Sequence, residues 1–185
     1  MSLHLESNRL VLRDFIADDA RDLFDLYKLN ETSEFESWNP HEELEVSVAL
    51  TRSWVESQKA KQRMEFTLAL LHEKQFVGLC GIDLGFGTET DNQKVGFLGY
   101  RLHPKYWNQG FATEASRRLI QFAFSELQLH RIHSGCSVEN AASIRVIEKI
   151  GFRLEGTSRE SFPIEDRWTD YNLYGMLDYE FKPVT

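Results

Sequence analysis

Cysteine and proline are scarce in this chain of 185 residues, at 2 and 4, and no apolar run approaches the roughly 20 residues of a membrane span. Two thiols, Cys80 and Cys136, give no paired framework, so a reducing cytosol is the natural setting and the core must hold the fold alone. With no Pro/Gly/Ser-rich tract, internal repeat or break in composition, one domain spanning residues 1–185 is expected. Met1 to Leu12 lacks a basic flank followed by an apolar block, so no secretory leader is expected there. Positive charge is in deficit as well: 21 Lys and Arg against 29 Asp and Glu leave a net charge of −8. An acidic chain without a basic run is poorly suited to nucleic acid backbones, yet basic side chains clustered locally still suit a small anionic ligand.

Apolar surface, by contrast, is plentiful. The sequence is 42% hydrophobic, with 13 Phe, 6 Tyr and 4 Trp, which excludes disorder for the bulk of the chain. Arg9 to Arg13 reads as a short strand with Leu10 and Leu12 on one face. Ala20, Leu23, Phe24 and Tyr27 form a helical stripe, preceded by Asp18 and Asp19 where a helix start favours acceptors. Phe35 to Pro40 reads as a loop, and Leu44, Val48, Thr51 and Val55 as the stripe of a second helix. Phe66–Leu71 and Phe76–Leu84 form a hairpin about His72-Glu73-Lys74, followed by a longer turn from Gly85 to Lys94. Val95–Leu102 is a third strand, whose interior Gly96 and Gly99 suggest a bulge or a close backbone approach. A helix from about Thr113 to Glu126 buries Ala115, Leu119, Phe122 and Ala123. A strand over Arg131–Val138, a helix over Asn140–Ile150 ending at Gly151, and strands near Arg153–Glu160 and Tyr171–Tyr179 complete an α/β order with a mixed sheet.

Two stretches carry chemistry. In His103-Pro104-Lys105-Tyr106-Trp107-Asn108-Gln109-Gly110-Phe111-Ala112-Thr113-Glu114, a strand ends, a tight loop turns and a helix begins. Helix N-termini present unpaired N–H groups and a positive dipole to anions, and Gly110 and Ala112 leave room for one to reach the backbone. In Val138 to Phe152, Asn140 caps a helix and Ser143 lies one turn along on the same side. His130, His133 and Cys136 invite a metal, but His133 and Cys136 have opposite strand parity and point to opposite faces, so no metal site is expected.

Together these stretches resemble the GNAT superfamily of acetyl-CoA-dependent N-acetyltransferases over nearly the whole chain. Glu6 to Arg13 and Trp168 to Tyr174 look like the branch holding the ribosomal-protein N-terminal acetyltransferases. The resemblance implies the GNAT fold, a mixed central sheet with splayed parallel strands flanked by helices. It also implies a pyrophosphate cradle at Asn108, Gln109, Gly110, Phe111, Ala112 and Thr113, with the pantetheine arm along Tyr100, Arg101 and Leu102. Asn140 is implied to touch the pantetheine and Ser143 the thiol end. Trp107 stands where relatives often have Gln or Arg, although this branch commonly carries Trp there. Phe97 replaces a Glu that supplies one route to a base, and Ile147 replaces a Tyr that protonates the thiolate.

The implied reaction moves acetyl to a primary amine, either a protein N-terminus or a small molecule. Acetyl-CoA is an activated thioester, so the enzyme must place a neutral amine, accept its proton and meet the departing thiolate with a donor. Ser143 is the nearest donor. Glu160 is the expected base, with Glu165, Asp166 and Asp170 as alternatives in the same C-terminal region. The missing Glu and Tyr keep a second reading open, a non-catalytic acyl-CoA-binding sensor or partner-binding module. No direct nucleic acid or membrane partner is expected, and a homo-oligomer is compatible with the sequence without being derivable from it.

Overall fold

The alternating apolar runs of the sequence assemble into one eight-stranded sheet in the computed structural model, which describes residues 2–84, 94–164 and 166–183. In chain order the elements are β1 (His4–Glu6), β2 (Leu10–Asp14), α1 (Ala20–Tyr27), α2 (Asn30–Ser33), α3 (Leu44–Ser57), β3 (Glu65–His72), β4 (Gln75–Leu84) and β5 (Val95–Leu102). Then come α4 (Phe111–Ser125), β6 (Arg131–Ser137), α5 (Ala141–Ile150), β7 (Arg153–Ile164) and β8 (Arg167–Leu177). The spatial order is β1-β2-β3-β4-β5-β6-β8-β7. Neighbours pair antiparallel except β5 and β6, which α4 joins by a crossover and which therefore run parallel.

That parallel pair opens almost at once. Val95, Gly96 and Phe97 pair with Arg131, Ile132 and His133, and no pairing follows. Ser134 Oγ donates to the Leu98 carbonyl at 3.0 Å, at the crotch of the split. Beyond it, β5 remains bonded to β4 as far as Leu102 and β6 to β8 as far as Ser137, so the two strands present facing edges across a gap.

The sheet has two differently covered faces. Leu10, Leu12, Leu68, Leu70, Cys80, Ile82 and Leu98 pack with Ala115, Leu119, Ala123 and Ile147 under α4 and α5. Each fully buried Leu or Ile in this layer contributes roughly 1.5–3 kcal/mol. On the other face Phe15, Leu23, Leu26, Tyr27, Trp54, Ala69 and Leu79 pack under α1 and α3, with Phe15 and Trp54 ring centroids 4.7 Å apart.

Several boundaries differ from the sequence reading. β1 and α2 were not expected, being too short to show a period. The inner stripe of α3 is Ser47, Thr51 and Trp54, because the hydroxyls of a buried helix face carry no hydropathy signal. Asp19 does not cap α1 with its side chain; it accepts from the Ile16 N–H and is gripped by Arg13 at 2.7 Å on both oxygens. α4 begins at Phe111, two residues earlier than expected, because Gly110 takes a left-handed φ of +80° and turns the chain straight into the helix. β7 runs on past Glu160 to Ile164, and β8 begins earlier than expected, at Arg167, but ends earlier too, at Leu177; the two form a polar hairpin with two register shifts. The turn expected from Gly85 to Lys94 lies outside the described residues apart from Lys94.

Candidate active site

The loop between β5 and α4 is built from its own side chains. The Trp107 indole N–H donates to the Leu102 carbonyl at 2.8 Å, and Gln109 Nε2 donates to the Lys105 carbonyl at 3.1 Å. Asn108 and Gly110 both have positive φ, 59° and 80°. The first helical bond is donated by Glu114 to Gly110, leaving the Phe111, Ala112 and Thr113 amides ahead of it at the positive end of the helix dipole. Arg9 lies against this loop. Its guanidinium bonds Glu114 at 2.7 Å and the Gln109 carbonyl at 3.0 Å, and it stacks over Phe111 at 4.5 Å.

The gap between β5 and β6 opens on a cavity of about 260 Å³, bordered by Phe97–Arg101 of β5 and Ser134–Cys136 of β6. Gly99 borders it, and a Cβ there would meet nothing within 4 Å. Gly96 differs: a Cβ would fall 2.7 Å from the Ile82 side chain, so close packing explains that glycine. A Cβ on Gly110 would approach only Arg9, at 3.5 Å. An open strand edge, a bare glycine and a helix N-terminus make a channel that suits a long ligand with an anionic head.

Three residues meet at the cavity end of this channel. Asn140 caps α5 by accepting the Ser143 N–H at 2.9 Å. The Tyr100 phenol lies 2.8 Å from Ser143 Oγ and 3.2 Å from the Ser143 carbonyl. Burial keeps that phenol protonated, its pKa well above the ordinary value. When Tyr100 gives its single proton to Ser143 Oγ, the serine proton is free for another acceptor in the cavity. Cys136 is beside them; burial pushes its thiol up to about 11 against a hydrogen bond from Ser143, so it remains a thiol.

The alternation of β5 sends Arg101 to the opposite face. Its guanidinium bonds the Tyr27 hydroxyl at 2.6 Å and Glu36 at 3.0 Å, and lies over the rings of Trp38 and Tyr27 at 4.6 and 4.9 Å. This arrangement fastens the segment between α2 and α3 over the cavity, whose wall includes Phe35 and Glu36. Phe97, Phe162, Tyr171 and Trp54 add aromatic surface.

The structure sorts the expected residues. Tyr100, Arg101, Asn140 and Ser143 line the cavity together. Leu102, the last residue of β5, and residues 108–113, in the following loop and the first turn of α4, do not line the cavity. The carboxylates proposed as base are placed elsewhere: Glu160 is exposed on the bulge of β7 at φ +43°, its N–H donating to Asp170 Oδ1 at 2.8 Å, and Asp166 is an exposed turn residue. None of Glu160, Asp166 and Asp170 lines the cavity, and Glu165 lies outside the described residues. The carboxylates that do line it are Glu36, Glu65 and Asp83, which the sequence reading passed over. Strand parity puts Glu65, Thr67 and Asp83 on one face; what it could not supply is which part of that face stays open. His133 packs edge-on against Phe97 while Cys136 borders Ser143, as their opposite parity requires. Among the described residues no group of three or more His, Cys, Asp or Glu could hold a metal.

Comparison with known proteins agrees with this geometry. Residues 9–153 match the acetyltransferase (GNAT) domain model. The chain is 28% identical over 180 residues to YnaD, an uncharacterized N-acetyltransferase of Bacillus subtilis, covering 97% of this chain and 100% of that protein. Its fold is also that of the ribosomal-protein-S5-alanine acetyltransferase of Vibrio fischeri, at a TM-score of 0.83 and 21% identity over 98% of this chain and 100% of that one. Spermidine N-acetyltransferase from Vibrio cholerae, solved with CoA and spermine, superimposes at 0.79 with 21% identity, covering 93% and 97%. The open β5–β6 pair, the glycine-led helix start and the matched domain converge: this chain belongs to the GNAT acetyltransferase family and is an acetyl-CoA-dependent N-acetyltransferase.

Proposed function

We propose that the enzyme acetylates a primary amine whose body carries further positive charge, a polyamine or the basic N-terminus of a protein such as a ribosomal one. The observation that carries this is the composition of the cavity wall. Three carboxylates, Glu36, Glu65 and Asp83, stand among aromatic rings. Arg101 is ion-paired with Glu36; among the described residues no cation pairs with Glu65 or Asp83. Negative walls of low dielectric concentrate cationic ligands, and aromatic faces hold ammonium groups.

Acetyl-CoA, which supplies the acetyl group as a thioester, suits the channel. The amides of residues 108–113 would hold its pyrophosphate, the free edge of β5 at Tyr100, Arg101 and Leu102 would follow the pantetheine arm, and Asn140 would steady that arm. Ser143 would face the sulfur and donate to it. The whole described chain builds around one sheet, which supports reading residues 1–185 as one domain. Two buried, unpaired thiols, Cys80 and Cys136, suit a cytoplasmic setting, and no described helix is long and apolar enough to cross a membrane.

The test is thiol release from acetyl-CoA with a panel of amines at equal concentration. Polyamines and peptides with basic N-termini should be acetylated with higher kcat/KM than neutral or acidic amines of similar size. Equal or greater activity with an acidic peptide would remove the charge argument. The order of the two cationic classes distinguishes a small-molecule from a protein acceptor.

A further inference from the structure

The strand register sets one carboxylate apart. In the β4–β5 ladder Asp83 is paired with Phe97, and in the β3–β4 ladder it is paired with Glu65. Phe97 and Gly99 share a strand face, so Asp83 stands beside the opening of the split. The same cavity holds Ser143, the donor proposed to face the sulfur, and Asp83 borders it from the side of the sheet covered by α1 and α3.

We propose that Asp83 is the catalytic base, the carboxylate that takes the proton from the incoming ammonium group; this rests on the cationic-amine reading above. Other carboxylates fit the role less well. Glu36 is ion-paired with the half-buried Arg101, and Glu65 accepts the Thr67 hydroxyl at 2.8 Å. Among the described residues Asp83 has no ion pair. Asp83 is exposed but lines the cavity, where partial desolvation and the neighbouring Glu65 hold its carboxyl above the ordinary value, which makes the carboxylate a stronger base.

The protons balance without a further reactant. The ammonium nitrogen gives one proton to Asp83, directly or through a water, and its lone pair attacks the thioester carbon. The C–N bond forms, the C–S bond breaks, and sulfur departs with the bonding pair. The second N–H proton lost from the new amide offsets the one that sulfur takes, CoA leaves as the thiol, and Asp83 returns its proton to solvent.

The charged group beside Asp83 is Glu65 from β3; Glu36 from the segment between α2 and α3 and Arg101 from β5 line the same cavity, and His133 from β6 packs against Phe97, the β5 neighbour of Asp83. In the wild type, turnover falls in acid as Asp83 becomes protonated. In Asp83→Asn the amine must lose its proton unaided, which becomes easy only near its own value, about 8 for a protein N-terminus and about 10 for a polyamine.

The experiment measures kcat and KM for the best cationic amine from about pH 6 to about pH 10 in wild type, Asp83→Asn and Asp83→Glu. Acetyl-CoA binding and circular dichroism confirm each variant's fold, and Asp83→Ser stands in should the asparagine variant fail to fold. The expected result is a loss of kcat of roughly 10²-fold near neutrality, with the KM for acetyl-CoA unchanged. That loss should shrink as pH rises, and glutamate should restore part of the rate. An undiminished Asp83→Asn variant, or a deficit equal at every pH, overturns the assignment and leaves the acceptor reading standing. Wild-type inactivity toward every cationic amine overturns both.

Discussion

In the proposed mechanism Ser143, held by Tyr100, donates to the departing thiolate, the role that the family resemblance gives to a tyrosine at position 147. Ile147 is fully buried in the core, so it has no access to the channel. The Tyr100 phenol, 2.8 Å from Ser143 Oγ, orients the serine and stays protonated through burial. Ser143→Ala removes the donor and little else, because the cap at Asn140 uses the Ser143 backbone N–H. Turnover should fall by roughly 10–1,000-fold while CoA affinity, measured by calorimetry, changes far less. A wild-type rate would give the proton of the thiolate to water instead. Asn140 and Ser143 were legible in the sequence because an N-cap and its first turn follow local rules. Asp83 and Glu65 were not legible as site residues. Whether a carboxylate on a strand faces solvent or a cavity depends on elements distant in sequence, here the segment that Arg101 fastens to Tyr27 and Glu36.

At the scale of elements, the start of α4 does two jobs. Its glycine lets the loop turn into the helix, and its first turn anchors the N-terminal hairpin through Glu114. In Gly110→Val a β-branched residue must adopt φ +80°, at about 1–3 kcal/mol, well within a typical stability of about 5–15 kcal/mol. The protein should stay folded, while added methyls crowd the amides of residues 110–113 and lower CoA affinity by about 10-fold or more. Unchanged affinity in a folded variant would remove the loop from the cofactor site. Glu114 gives the second prediction. Burial opposes its charge, but Ser7, the Arg9 N–H and the Arg9 guanidinium together hold its carboxyl below the ordinary 4.5. A depressed carboxyl stabilises the fold above that value, and the contribution disappears as pH falls through the folded value. Glu114→Gln should lower Tm by roughly 2–8 °C near neutrality and by progressively less below about pH 4.5. An equal Tm deficit at every pH would deny the carboxylate this role. The helix itself was legible from Ala115, Leu119, Phe122 and Ala123, all buried as the period requires. Its first residue was not, since a left-handed glycine leaves no mark on hydropathy. The β7–β8 hairpin was underestimated for a related reason. Arg153, Glu155, Arg159 and Glu160 face solvent along it, so alternation is lost although pairing with β8 persists.

For the molecule as a whole, the two covered faces of the sheet divide the labour. The α4–α5 side holds Ser143 and the start of α4, and the α1–α3 side holds the acidic aromatic wall. Among the described residues the two sides meet where β5 and β6 part, because continued pairing would close the sheet there. The topology was legible in outline: a helix between two strands predicts a parallel pair, and the motif resemblance predicts its splay. The residue at which pairing stops was not, because Gly99 and Gly135 say only that side chains are missing, and the packing of Tyr171 over Gly135 is a tertiary fact. The central claim, that this split is the seat of acetyl-CoA, is tested most directly by a crystal structure of the CoA complex. The pyrophosphate should accept hydrogen bonds from amides of residues 108–113, with the pantetheine arm between β5 and β6 and the sulfur beside Ser143. CoA bound elsewhere, with β5 and β6 closed or empty between Gly99 and Leu102, would contradict it.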